Sequence, residues 1–209
     1  MSAQARGDHR GNYQSPQDEK LILNMAGLVE RSVVNGPGIR AVLWVQGCPI
    51  HCKGCFNKKM WPYETAKNVG VEELACRIAG ISGIEGVTFS GGEPFSQAEA
   101  LAELGGILKS RGLSIVTFTG YTFEEIAQSS DIGWKRLLDV TDVLIAGPYV
   151  NDDVSNHTRL SHKKTVFLTD RYRIVGQYSK GYHEVELIID AGGIITITGY
   201  PDDRLIKDL

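Results

Sequence analysis

Three of the chain's four cysteines stand within eight positions, as Cys48, Cys52 and Cys55 in the stretch VQGCPIHCKGCFN, residues 45–57. The spacing is C-x3-C-x2-C, and four chemistries compete for it. Structural zinc asks for four ligands in a tetrahedron, and His51, adjacent to Cys52, does not supply the usual paired spacing. A redox pair at Cys52 and Cys55 would leave Cys48 idle and lacks the context such pairs occupy. Cysteines also serve as small core residues, but a loop holding Pro49, His51 and Lys53 is too polar for that. An iron–sulfur cube takes one thiolate per iron. Three thiolates leave one iron open, as a catalytic metal keeps a position free for substrate; on that reading the missing fourth ligand is a reactant. Cys76 falls at the margin of the apolar stripe of a predicted helix and reads as a flanking core residue.

Two further polar motifs need placing: SGGEP at 90–94 and TGY at 119–121. Each follows a short run rich in β-branched and aromatic residues, GVTF and LSIVTF, as the cysteine loop follows RAVLWV. Between these strands lie helical patterns. VEELACRIAGI carries Val71, Leu74, Ala75, Ile78 and Ala79 at helical spacing. SQAEALAELGGILKSRG has Ser96 as a start signal and a glycine as a stop. TFEEIAQSS begins with Thr122 at a capping position and Glu125 at the capping-box position. WKRLLD is a further helical piece, and TDVLIAGPYV a further strand. Strands alternating with helices over about residues 40–147 favour right-handed βαβ units and a parallel sheet. In such folds the strand ends share one rim, where active sites sit, so the three motifs should converge. After residue 150 the pattern changes to short strands, TVFL, EVELIID and GIITITGYP, with AGG at 191–193 suited to a hairpin turn. These are expected to add to the domain's edge.

The chain has 209 residues, 42% hydrophobic, with a net charge of −3. This fits one globular domain with a core. No long basic run points to nucleic acid, and no apolar run reaches the roughly 18 residues of a membrane span. Residues 1–20 are polar and lack the apolar core of a signal peptide, so a disordered tail and a cytoplasmic location are expected. The domain reading is a tail at 1–20, a core at 21–160 and a β-rich C-terminal extension of the same domain at 161–209.

C-x3-C-x2-C followed by a strand ending in Gly-Gly-Glu-Pro resembles the radical S-adenosylmethionine superfamily. VNGPGIR, GCPIHCKGCFNKKMW, SGGEPFSQ, FTGYTFEEI and DVLIAGPYV together are similar to the activating proteins of anaerobic ribonucleotide reductase, among the glycyl-radical-enzyme activases. The resemblance implies an α/β fold, a partial (β/α) barrel with parallel strands and a short C-terminal β extension. It implies one [4Fe-4S] cluster held by Cys48, Cys52 and Cys55, with S-adenosylmethionine on the open iron. Gly91, Gly92 and Glu93 would contact the methionyl ammonium, and a side chain at either glycine would obstruct the cofactor while sparing the cluster. Gly54 stands where the superfamily often has an aromatic residue near adenine, and Phe56 would supply that apolar contact. Reductive cleavage would give a 5′-deoxyadenosyl radical that takes hydrogen from a glycine of a partner glycyl-radical enzyme. Electrons would come from a low-potential donor such as flavodoxin or ferredoxin. No side chain is expected to act as a catalytic acid or base, and His51, His157, His162 and His183 read as solvated or structural. The alternative is direct action on a small molecule or peptide. Two positions depart from the resemblance. Ala146 precedes Gly147 where an acidic residue is expected, and RLSHKKTVF lacks a Gly-Ser-Ser-Asn-Gln-like motif. Arg40 reads as a loop anchor or a partner contact.

Overall fold

The structure, a computed structural model, describes residues 20–64, 66–150, 163–173 and 185–199. The expected tail up to residue 19, and His157, His162 and His183, lie outside the described residues. Nine strands are described: β1 (Ile22–Ser32), β2 (Arg40–Val45), β3 (Asn68–Gly70), β4 (Gly86–Gly91), β5 (Ser114–Phe118), β6 (Val143–Ala146), β7 (Lys164–Phe167), β8 (Val185–Ile189) and β9 (Ile195–Gly199). Four helices accompany them: α1 (Val71–Ala79), α2 (Ala98–Ser110), α3 (Phe123–Gln128) and α4 (Ile132–Val140).

Seven strands form one sheet in the order β3-β1-β2-β4-β5-β6-β7. Its centre, β2-β4-β5-β6, is parallel throughout, so the fold is mixed α/β with a parallel-rich sheet. These strands read as continuous apolar runs because both faces are covered. Ala41, Leu43, Val45, Val87, Phe89 and Ile115 pack with Leu74 and Ile78 of α1, Leu101, Leu104 and Leu108 of α2 and Leu137 of α4. On the opposite face, Val116, Phe118, Val143 and Ile145 pack with Tyr172. The flanks are antiparallel: β1 beside β2, β3 beside β1, and β7 beside β6. β7 therefore adds to the sheet edge as expected. β8 and β9 do not; they pair only with each other. That hairpin docks on the loop before β2, where the Val33 N–H donates to Glu186 (2.9 Å) and Asn35 donates to Thr198 (2.6 Å).

Local signals place most element ends. Thr122 and Glu125 form the capping box, each side chain bonding the other residue's backbone N–H. Ser96 caps nothing. A 3-10 turn, Pro94–Gln97, precedes α2, and the side chain that caps this turn belongs to Glu93. Among the described residues no helix is long and apolar enough to cross a membrane.

Candidate active site

The four parallel strands end side by side. Val45 of β2 is in register with Gly91 of β4, and Phe89 of β4 with Thr117 of β5. Beyond these ends lie the cysteine loop, SGGEP, TGY and the Gly147–Tyr149 turn, adjacent in that order along one rim. Hydrogen bonds link each loop to the next. Gly92 and Glu93 donate backbone N–H groups to the carbonyls of Val45 and Gly47, both at 2.8 Å. The Glu93 carboxylate accepts from Thr119 Oγ1 (2.8 Å) and the Gly120 N–H (2.8 Å), and from Phe95 N–H (3.0 Å). Gly147 N–H donates to Tyr121 O (2.7 Å).

One pocket opens between them. Its walls include Cys48, Cys52 and Cys55, then Phe56 and Trp61, then Gly91, Gly92 and Glu93, then Thr119, Gly120, Tyr149 and Lys163. The expected convergence is thus present, and all the predicted site residues but one border this space. Gly54, at φ +79°, turns the loop without lining the pocket. Phe56 meets Tyr149 edge-on, with ring centroids 5.9 Å apart. Cys76 is not in the pocket and is not a core residue: it is exposed on α1. Tyr121 packs its ring against Trp134, centroids 4.6 Å apart. Among the described residues, no three His, Cys, Asp or Glu side chains close around a single ion. Cys48, Cys52 and Cys55 nonetheless border one pocket, and an iron–sulfur cluster places one thiolate on each of several irons.

The glycine pair has a tighter constraint than access for a ligand. A Cβ on Gly91, at φ +106°, would lie 2.6 Å from the Val45 nitrogen. A Cβ on Gly92 would overlap the Gly47 carbonyl oxygen and come within 2.9 Å of Met60 O. A side chain at Gly91 would press on the end of β2 and one at Gly92 on the cysteine loop itself, so the expectation that such a change spares the thiol site is corrected at Gly92.

Electrostatics separate this pocket from the rest of the core. Burial pushes the Cys48 thiol up, with Glu93 and Cys52 adding to it, against backbone N–H groups of His51 and Ile50. Burial also raises the Glu93 carboxyl, against its hydrogen bonds and the charge of Lys163. Lys163 is the residue that sequence reasoning missed. Its ammonium donates to the carbonyls of Thr119 (2.7 Å) and Gly147. Burial lowers its pKa to about 8, against the opposing pull of Glu93, Cys52 and Cys55. Among the described residues two of its three donors are used, and its charge lies by the thiols. It sits next to the turn where an acidic residue was expected. A lone lysine in a polar stretch carries no pattern; only the pairing of β7 with β6 brings it to the rim.

Comparison with known proteins agrees with this chemistry. Residues 34–167 match the family described as a 4Fe-4S single cluster domain. The anaerobic ribonucleoside-triphosphate reductase-activating protein of Enterobacteria phage T4 is 37% identical over 123 residues, covering 56% of this chain and 74% of that protein. The protein of the same name from Vibrio cholerae is 32% identical over 128 residues, covering 57% and 80%. The pyruvate formate-lyase-activating enzyme of Clostridium pasteurianum is 36% identical over 121 residues, covering 53% of this chain and 49% of that enzyme. The chain belongs to the 4Fe-4S single cluster domain family, within the radical S-adenosylmethionine enzymes, and its cofactors are a [4Fe-4S] cluster and S-adenosylmethionine.

Proposed function

We propose that this enzyme is a glycyl-radical-enzyme activase, with an anaerobic ribonucleotide reductase or a similar enzyme as its protein substrate. The carrying observation is a rim pocket bordered by three thiols and the Gly-Gly-Glu turn, in a chain whose relatives bear activase names. Cys48, Cys52 and Cys55 hold the cluster. Gly91, Gly92 and Glu93 form the wall for the methionyl group, and Phe56 lies where an apolar side chain can meet adenine. The chemistry supplied by cluster and S-adenosylmethionine, when bound, is a one-electron cleavage giving methionine and a 5′-deoxyadenosyl radical. The protein's part is to bind, orient and shield. Glu93 ties SGGEP to TGY, and Lys163 ties TGY to the Gly147 turn while holding positive charge beside the thiols. The parallel strands form a partial barrel whose rim admits a glycine presented on a folded partner. The electron donor is a low-potential protein of the flavodoxin or ferredoxin kind.

Two measurements test this. Anaerobic reconstitution should give about four irons per chain; Cys48→Ala, Cys52→Ala or Cys55→Ala should abolish uptake, and Cys76→Ala should not. Uptake lost in Cys76→Ala alone would overturn the ligand set. For the substrate, the cognate glycyl-radical enzyme is labelled with deuterium at the glycine α-carbon. Activation predicts deuterium in 5′-deoxyadenosine and a persistent radical on the partner. Label arriving only from a free metabolite or short peptide would replace activation with direct modification.

A further inference from the structure

Trp61 is a pocket residue whose ring N–H has no acceptor among the described residues. Its backbone and ring are both fixed to the cysteine loop. Cys48 N–H donates to Trp61 O (3.0 Å), and the indole stacks on His51 at 4.6 Å with an interplanar angle of 22°. His51 lies between the first two cysteines and holds the left-handed conformation, φ +50°. Lys58 covers the ring, its Nζ 5.9 Å from the centroid. The short 3-10 turn Lys58–Met60 folds the chain back to make these contacts. Held this way, the indole borders the pocket with Cys48, Cys52 and Cys55. Its Nε1–H is buried and has no acceptor among the described residues. A buried donor left unpaired costs about 1–3 kcal/mol, so the arrangement asks for an acceptor brought in by a ligand.

We infer that the Trp61 Nε1–H donates a hydrogen bond to a sulfur of the bound cluster and thereby raises the cluster's reduction potential. This rests on the reading that Cys48, Cys52 and Cys55 hold the cluster. A sulfur is favoured over an atom of S-adenosylmethionine because Trp61 is anchored to the cysteine loop by both backbone and ring, whereas the Gly-Gly-Glu turn forms another wall. Hydrogen bonds to cluster sulfurs are one of the levers that set the potential: they stabilise the more negatively charged reduced form.

The test uses the reconstituted chain and Trp61→Phe, which keeps a ring on His51 and removes the N–H. At a fixed redox poise, the reduced-to-oxidised ratio of the cluster should fall about fivefold in the variant, the equivalent of one net hydrogen bond. In the wild type, labelling the indole with ¹⁵N should give a nitrogen coupling in the pulsed spin-resonance spectrum of the reduced cluster. This second measurement needs no variant and stands if Trp61→Phe loads poorly. Full iron uptake with no nitrogen coupling and an unmoved ratio would overturn the inference alone. Weaker S-adenosylmethionine binding in Trp61→Phe at an unmoved potential would also overturn it, placing the donor on that cofactor. Failure of the wild-type chain to take up iron would instead sink the ligand assignment beneath it.

Discussion

Buried charge occurs at both ends of the parallel strands, and the two ends treat it differently. At the starting end, Arg40 of β2 is fully buried. Its guanidinium donates to Thr88 Oγ1, Pro37 O, Val87 O, Ser114 O, Ser114 Oγ and Tyr172 OH at 2.9–3.3 Å. It anchors the loop before β2, the starts of β4 and β5, and the segment after β7. Of the two roles considered from the sequence, the loop anchor is the one its burial allows. At the rim, Glu93 is equally buried but shares its space with Lys163 and three thiols. Many donors spread over neutral acceptors make Arg40 a structural tie. At the rim, opposite charges and thiols stand around a pocket, and burial raises the Cys48 thiol and the Glu93 carboxyl and lowers Lys163. Displaced ionisation in a cleft is a mark of function; a fully bonded guanidinium in the core is a mark of architecture.

That contrast can be broken or sharpened by substitution. Arg40→Leu should have the largest effect, because it strands the carbonyls of Pro37, Val87 and Ser114 and empties the space between strands. A loss of about 1–3 kcal/mol for each acceptor left without a donor is expected, read as a lower urea midpoint of the iron-free chain. If Arg40→Leu cost no more than a surface change, the two ends would not differ as argued. Glu93→Gln should cost about 1–3 kcal/mol, since the amide offers one carbonyl oxygen where two carboxylate oxygens accept. The exposed consequence is at Gly120, whose amide should exchange with deuterium faster than in the wild type. Tyr172→Phe removes the hydroxyl bonded to Ser114 (2.7 Å) and Arg40, and should cost about 1 kcal/mol in the same urea assay.

A further effect is one of pH. Lys163 has a folded pKa near 8, against 10.5 for the ordinary side chain. Between these values the unfolded chain binds more protons, so this group's contribution to stability rises with pH from about 8 to about 10.5. In iron-free protein, the urea midpoint of wild type relative to Lys163→Met should therefore increase over that window. A constant difference would mean that Lys163 is not held away from water.

Much of this layout was legible in the residues, and the misses share a cause. The βα alternation, the capping box at Thr122 and the convergence of three motifs on one rim follow from local pattern. β1 did not register as a strand because its register shifts between Met25 and Gly27 and again between Val29 and Ser32. Each irregularity resets the two-residue alternation that marks a strand. β3 is only three residues long, too short to show a period. Ser96 looked like a cap because Ser commonly is one, but Pro94 starts a 3-10 turn two residues earlier. Lys163 and Trp61 reach the pocket through strand pairing and ring stacking between segments distant or reversed in sequence, which no spacing rule records.

Arg40 has one more consequence. With Tyr172 hydrogen-bonded to it, it fills the starting end of the parallel strands, opposite the rim that carries the pocket. On the activase reading proposed above, a short-lived radical formed at the rim is lost to whatever reaches it, be it oxygen, reductant or the partner glycine. On that reading, loosening the starting end by Arg40→Leu should show as 5′-deoxyadenosine formed without a matching yield of partner radical.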